Sequence, residues 1–145
     1  MPDPTDPAAL AEALRAPLLQ LSRRLRQEAQ RVGMTALDAL ILGHIRKKPS
    51  VGASELASAE RMSRPSMSGH IKRLEAAGWI VRADDEADGR RSGFQITPAG
   101  EDQLAAIRQS RNDWLAARLA RLDEGSRADL VAAHAALLKL LSLDS

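Results

Sequence analysis

The stretch from Ala53 to Leu74, ASELASAERMSRPSMSGHIKRL, constrains the fold more than any other part of the chain. A short amphipathic segment, a turn and a second amphipathic segment follow one another without a gap, which is the sequence form of a helix-turn-helix. In the second segment Met67, Ile71 and Leu74 fall at i, i+4 and i+7, so one face is apolar and docks on a core. The opposite face carries Pro65, Ser66, Ser68, Gly69, Lys72 and Arg73, with no acidic residue until Glu75. Hydroxyls and backbone groups can reach base edges while Lys and Arg meet phosphates, which is the chemistry of a groove-reading helix. A surface helix that is merely polar on its outer side fits this segment equally well, and the rest of the chain has to separate the two.

At 145 residues the chain has the length of one domain with a real core. Its 44% hydrophobic and 28% charged residues are ordinary for a soluble globular protein. Aromatics make up only 2%, so the core must be built from Leu, Ala, Ile, Val and Met, which favours helices. The net charge is only +2 although the pI is near 9.5, so affinity for nucleic acid has to come from local clustering of Arg and Lys. The absence of cysteine excludes disulfides, thiolate zinc sites and cysteine redox sensing. No apolar run approaches the roughly 20 residues that span a bilayer, and the acidic, Pro-rich start MPDPTDP is unlike a signal peptide. A cytoplasmic protein without a membrane partner is therefore expected.

Asp6-Pro7 reads as an N-cap followed by Pro at the first helical position. From there Leu10, Leu14, Leu18, Leu21 and Leu25 form one apolar stripe of a helix that runs to about Val32, with Gly33 placed to end it. Pro17 removes a backbone donor inside that pattern and predicts a kink or a break. A second helix opens at Thr35, with Asp38 three residues on in a capping-box arrangement, turns Leu37, Leu40, Ile41 and Ile45 inward, and stops at Lys47-Lys48-Pro49. His44 beside that face reads as a half-buried histidine. Gly52 is the expected N-cap of the next helix, with Leu56 and Ala57 as its buried pair.

After Leu74, Glu75-Ala76-Ala77-Gly78 is a helix end with Gly at the left-handed position. Trp79 to Arg82 and Gly93 to Thr97 read as two short strands, and the polar DDEADGRRS between them holds Asp88-Gly89 as its tightest turn. A β-hairpin directly after a helix-turn-helix is a wing.

Leu56-Ala57, Arg73-Leu74, Gly78-Trp79, the D-x-R of Asp88-Gly89-Arg90 and the ITPAG from Ile96 to Gly100 resemble, in order and spacing, the MarR family of winged-helix transcriptional regulators. The resemblance covers nearly the whole chain. It implies that Ser54 to Glu60 forms the first helix of the motif and Arg64 to Ala77 the recognition helix, with Arg90 as the wing-tip arginine of the minor groove and Asp88 holding it. A guanidinium on a protruding hairpin suits a narrow, electronegative minor groove, and a carboxylate two residues earlier can restrain it. The expected DNA contacts are Ser54, Arg64, Pro65, Ser66, Ser68, Gly69, His70, Lys72 and Arg73, with Asp88, Arg90 and Arg91 in the wing. Asp84, Asp85, Glu86 and Asp88 must mostly point away from phosphate. At Gly69 the chain departs from the family, which often has a larger polar or basic residue there. Glycine in a helix interior costs about 1 kcal/mol relative to Ala, so it marks either a close approach to DNA or a lost base contact.

Thr97-Pro98 opens a long helix striped by Leu104, Ile107, Leu115, Leu119 and Leu122, with Trp114 beside the stripe. Asp123 caps a last helix whose Leu130, His134, Leu137, Leu138 and Leu141 form another seam. Three such stripes have too little partner surface in one small lobe, so they are expected to pack across a two-fold axis, and the resemblance implies the same dimer of terminal helices. The expected architecture is mostly α: a winged helix-turn-helix lobe over 34–97 with a two-stranded β-wing, flanked by dimerisation helices over 6–33 and 98–143.

No catalytic motif is present, and no cofactor is expected. His44, His70 and His134 lack the local spacing of metal ligands. The resemblance also allows a small-molecule effector pocket between the dimerisation helices and the DNA lobe, drawing on Leu18, Leu21, His44, Ile107 and Arg111. The expected function is sequence-specific DNA binding by a homodimer on a pseudo-palindromic operator, as a repressor. The competing reading is a winged-helix module that contacts other proteins and never meets DNA.

Overall fold

Helix boundaries fall where capping residues stand. The structure, a computed structural model, describes residue 1, residues 3–83 and residues 93–143. Among these the elements run α1 (Pro7–Arg31), α2 (Ala36–Lys47), α3 (Ala53–Ala59), α4 (Arg64–Ala76), β1 (Ile80–Ala83), β2 (Gly93–Ile96), α5 (Pro98–Leu119) and α6 (Glu124–Ser142). The Asp6 carboxylate accepts from the Ala9 amide at 3.0 Å, and Thr35 Oγ1 accepts from the Asp38 amide at 3.1 Å. Each satisfies a donor that a helix start leaves without an internal partner. Gly52 caps α3 without a side chain, and Ser63, Thr97 and Asp123 cap α4, α5 and α6 through theirs. The chain divides into two compact units, 1–111 and 112–145.

In the first unit a core of Ile41, Leu42, Ile45, Leu56, Met67, Leu74, Ile80 and Ile107 is fully buried, with Ala29, Ile71 and Phe94 in the same cluster. It is aliphatic, as the scarcity of aromatics requires. The sheet is antiparallel with Ile80 opposite Ile96 and Arg82 opposite Phe94. Phe94 is also tied to the segment before α3: its amide donates to the Val51 carbonyl at 2.9 Å, and its carbonyl accepts from the Ser50 amide at 3.0 Å. The base of the hairpin is clamped by the same residues that carry the family resemblance. Gly78 takes φ +77° to leave α4, and its carbonyl accepts from Thr97 Oγ1 at 2.6 Å. Gly100, in the first turn of α5, lies so close that an added Cβ would stand 2.3 Å from the Trp79 carbonyl oxygen. A side chain there would force the helix away from the residue that leads into β1.

In the second unit α6 buries none of its residues. Leu130, Leu137, Leu138 and Leu141 are all exposed, Leu141 to 67%.

The elements match the sequence reading to within about a residue at each end, and four details differ. Leu40 is 48% exposed, whereas Ala39 and Leu42 are buried: α2 is enclosed on a broader face than the single stripe implied. Asp38 does not reach back to close a capping box; its carboxylate turns into the protein toward α4. Leu122 lies beyond the end of α5, in the turn before α6. Pro17 does not break α1, which continues through it.

Candidate nucleic-acid interface

Helix α4 begins at Ser63, whose Oγ accepts from the Ser66 amide at 3.3 Å and donates to Ser66 Oγ at 3.0 Å. Pro65 in the first turn costs no helical hydrogen bond, because the first amides have no acceptor inside the helix. Met67, Ile71 and Leu74 are sealed in the core, which fixes what the other side presents. Arg64, Pro65, Ser66, Ser68 and Lys72 are exposed there, and the first turn carries no acid. Ser54, near the start of α3, is exposed as well. The structure brings Ser54, Arg64, Ser68 and Lys72 together along one groove of about 810 Å³ between α3, α4 and the sheet.

Arg82 on β1 lines the same groove and was not among the expected contacts. Its guanidinium lies 5.6 Å from the Phe94 ring centroid and 3.7 Å from Glu75 Oε1. Its position two residues into a short strand after Gly78-Trp79 was visible in the sequence, but only the pairing of Arg82 with Phe94 shows which way it turns. Glu55, the carboxylate on this groove, is paired with Lys48. That pairing reduces the repulsion an anionic ligand would meet.

Gly69 is half-buried in the middle of α4. A Cβ built on it would meet no atom of the described residues within 4 Å, and its backbone is not in the left-handed region. Packing among the described residues therefore gives no reason for a residue that weakens a helix.

Two expected contacts are turned elsewhere. The Asp38 carboxylate, only 5% exposed, lies 2.6 Å from His70 Nδ1 and accepts from Arg73 Nη2 at 3.2 Å. Arg73 Nε stands 3.4 Å from the second carboxylate oxygen. Thus His70 is not on the free outer face, and the Arg73 guanidinium has a carboxylate partner, because a buried charge has to be paired. A signal for this was present: Asp38 shares its helical face with Ile41, Leu42 and Ile45, where a carboxylate needs partners. Asp88, Arg90 and Arg91, with the Asp88-Gly89 turn, lie outside the described residues.

The five residues named for an effector pocket fall into separate settings. Ile107 is sealed in the core. Leu18 and Leu21 are exposed on α1. His44 Nδ1 is 3.1 Å from Glu60 Oε1, an ion-pair distance without hydrogen-bond alignment. Arg111 Nε donates to the Leu25 carbonyl at 2.9 Å, and burial, helped by the nearby Arg26 charge, lowers its guanidinium below the ordinary arginine range. Among the described residues no group of three His, Asp or Glu stands together as a metal site, and no helix is long and apolar enough to cross a membrane.

Comparison with known proteins bears on the same elements. Residues 32–91, which hold α2 to α4 and the start of the hairpin, match the model of the MarR family. An uncharacterized HTH-type transcriptional regulator of Mycobacterium bovis is 32% identical over 92% of this chain and 94% of its own. The crystal structure of a transcriptional regulator protein from Pseudomonas aeruginosa is 37% identical, with a TM-score of 0.76 over 91% of this chain and 93% of that one. A MepR variant of Staphylococcus aureus, bound to an oligodeoxyribonucleotide, shares the fold at 20% identity, with a TM-score of 0.69 over 94% and 98% of the two chains. With the helix-turn-helix, the hairpin and the flanking helices all matched in order, the chain belongs to the MarR family of winged-helix, DNA-binding transcriptional regulators.

Proposed function

We infer that the protein works as a homodimer that reads a pseudo-palindromic operator and represses transcription by occupying it. The observation that carries this is the outer face of α4. Arg64, Pro65, Ser66, Ser68 and Lys72 are all exposed on it without a carboxylate among them, opposite a face sealed in the core. Seated in a major groove, the serines and the backbone at Gly69 face base edges, while Arg64 and Lys72 meet phosphates on either side. Ser54 and Arg82 border the same groove and extend the contact toward the backbone. Arg90 is assigned to the minor groove on the family pattern, with Asp88 and Arg91 beside it.

The dimer rests on apolar surface. Helix α6 leaves Leu130, Leu137, Leu138 and Leu141 exposed, and α1 leaves Leu10, Leu14, Leu18 and Leu21 exposed. Leucine-rich helix faces left exposed in this way mark association sites. Two-fold pairing would present two recognition helices to half-sites one helical turn, or a multiple, apart. Release by a small-molecule effector belongs to this reading on the ground of the family alone.

Selection of bound duplexes from a random DNA pool, followed by footprinting and a salt titration of affinity, tests the proposal. A dyad-symmetric site whose affinity falls steeply with salt is the expected result. A footprint without dyad symmetry would sink the two-fold account. Undetectable or salt-insensitive binding would favour a module that contacts other proteins.

A further inference from the structure

Beside the buried face of α4 sits a trio that no DNA contact explains. Asp38 projects from the first turn of α2, where its own amide is held by Thr35 Oγ1. Its carboxylate lies between His70 Nδ1 and the Arg73 guanidinium, both from α4. Arg73 Nη2 also stands within hydrogen-bond range of His70 Nδ1. That nitrogen can serve only one neighbour at a time: carrying a hydrogen it donates to Asp38, and without one it accepts from Arg73. The carboxylate can accept from both groups, so it is what lets a cation and an imidazole of the same helix share one place.

We propose that Asp38 is a positioning residue for DNA recognition, withholding Arg73 from the phosphates and fixing the rotational setting of α4 against α2. This rests on the DNA-binding reading above. The Arg73 side chain is 56% exposed even though its guanidinium is held by the buried carboxylate, so phosphate could reach it if that hold were lost. Paired with a carboxylate, that charge attracts phosphate weakly. What α4 gains is a fixed azimuth: two side chains one turn apart are anchored to the same buried group, and the serines opposite are thereby aimed. Phosphate contacts add affinity for any sequence, whereas base contacts discriminate. The trio therefore gives up one sequence-independent contact per protomer and keeps the alignment on which discrimination depends.

Without the negative charge the arrangement fails in a defined way. Arg73 loses its counter-ion while remaining beside His70, and the nearest anions in a complex are the phosphates. Asp38→Asn should therefore bind random duplex more tightly and discriminate less between that duplex and a site selected from the pool. Its plot of log affinity against log salt should steepen by about 0.9 for each phosphate gained. Adding Arg73→Gln to Asp38→Asn should return the slope to the wild-type value. Arg73→Gln alone should leave the slope where it was, because that guanidinium is not spent on a phosphate.

These four proteins, titrated with salt on both duplexes and checked by thermal melting, decide the matter. A folded Asp38→Asn protein with an unchanged or shallower slope would overturn the proposal, and so would a shallower slope for Arg73→Gln alone. If Asp38→Asn does not fold, Arg73→Gln alone decides by the same criterion. Wild-type protein that binds neither duplex at any salt concentration overturns the DNA-binding reading and this proposal together. A salt-steep wild type with failing variants overturns this proposal alone.

Discussion

Gly69 and Gly100 both lie in helices, yet an added methyl group should act on them in opposite ways. At Gly69 the space is open and the backbone is helical, so Gly69→Ala should raise stability by about 1 kcal/mol. If glycine is kept for close approach to DNA, the same variant should bind the operator more weakly. Thermal melting and operator titration of one preparation test this, and unchanged affinity would mark Gly69 as a lost contact instead. At Gly100 the methyl group would press on the Trp79 carbonyl, and Gly100→Ala should destabilise the fold by roughly 1–3 kcal/mol, read from its melting temperature. The sequence pointed to both glycines, through a missing side chain in a helix face and through the ITPAG pattern. It did not separate their reasons, because only coordinates show whether a carbonyl from another element stands above a given Cα. Asp38 was legible in part: its spacing from Thr35 identified a helix start, but its partners are more than thirty residues away.

Among the elements, caps were the most readable signal, since each depends on residues within one turn. Asp123 illustrates it: hydrogen bonds from the Ser126 hydroxyl and amide hold its carboxyl below the ordinary carboxylate value. The sign follows from the lowered value. Asp123 stabilises the folded state above the ordinary carboxylate pKa of about 3.9, and that contribution is lost as pH falls through the lower folded value. The stability gap between wild type and Asp123→Ala should therefore close on acidification, which melting curves across the acid range would reveal; a gap that widens would contradict it. Facing was less readable. Leu40, expected inward, is exposed while Leu42, outside the expected stripe's named residues, is buried, because α2 packs on more than one neighbour and a single apolar stripe cannot specify a helix enclosed on two sides. Strand pairing was legible as a hairpin, while the link from Phe94 to Val51 was not, since nothing near either residue announces it.

For the whole molecule the leucine stripes stated in advance that the chain carries more apolar surface than one small lobe can cover, and α6 leaves that surface exposed. The proposed dimer predicts that Leu137→Lys with Leu141→Lys abolishes association and fold together, because charges would enter the seam. Sedimentation and circular dichroism check it, and a well-folded monomer would contradict it. The connection between Phe94 and Val51 has a consequence for how the lobe comes apart. Those two residues close a loop that contains α3, α4 and β1, so α4 lies inside a ring closed by hydrogen bonds where its two ends meet. Opening the ring releases the loop-closure entropy of the whole segment at once, which makes partial fraying from the hairpin side a poor route to unfolding. The Phe94 amide should accordingly exchange with solvent deuterium only on global opening, as slowly as the core amides of α2, and a fast-exchanging Phe94 would mean that the latch opens while the helices remain folded.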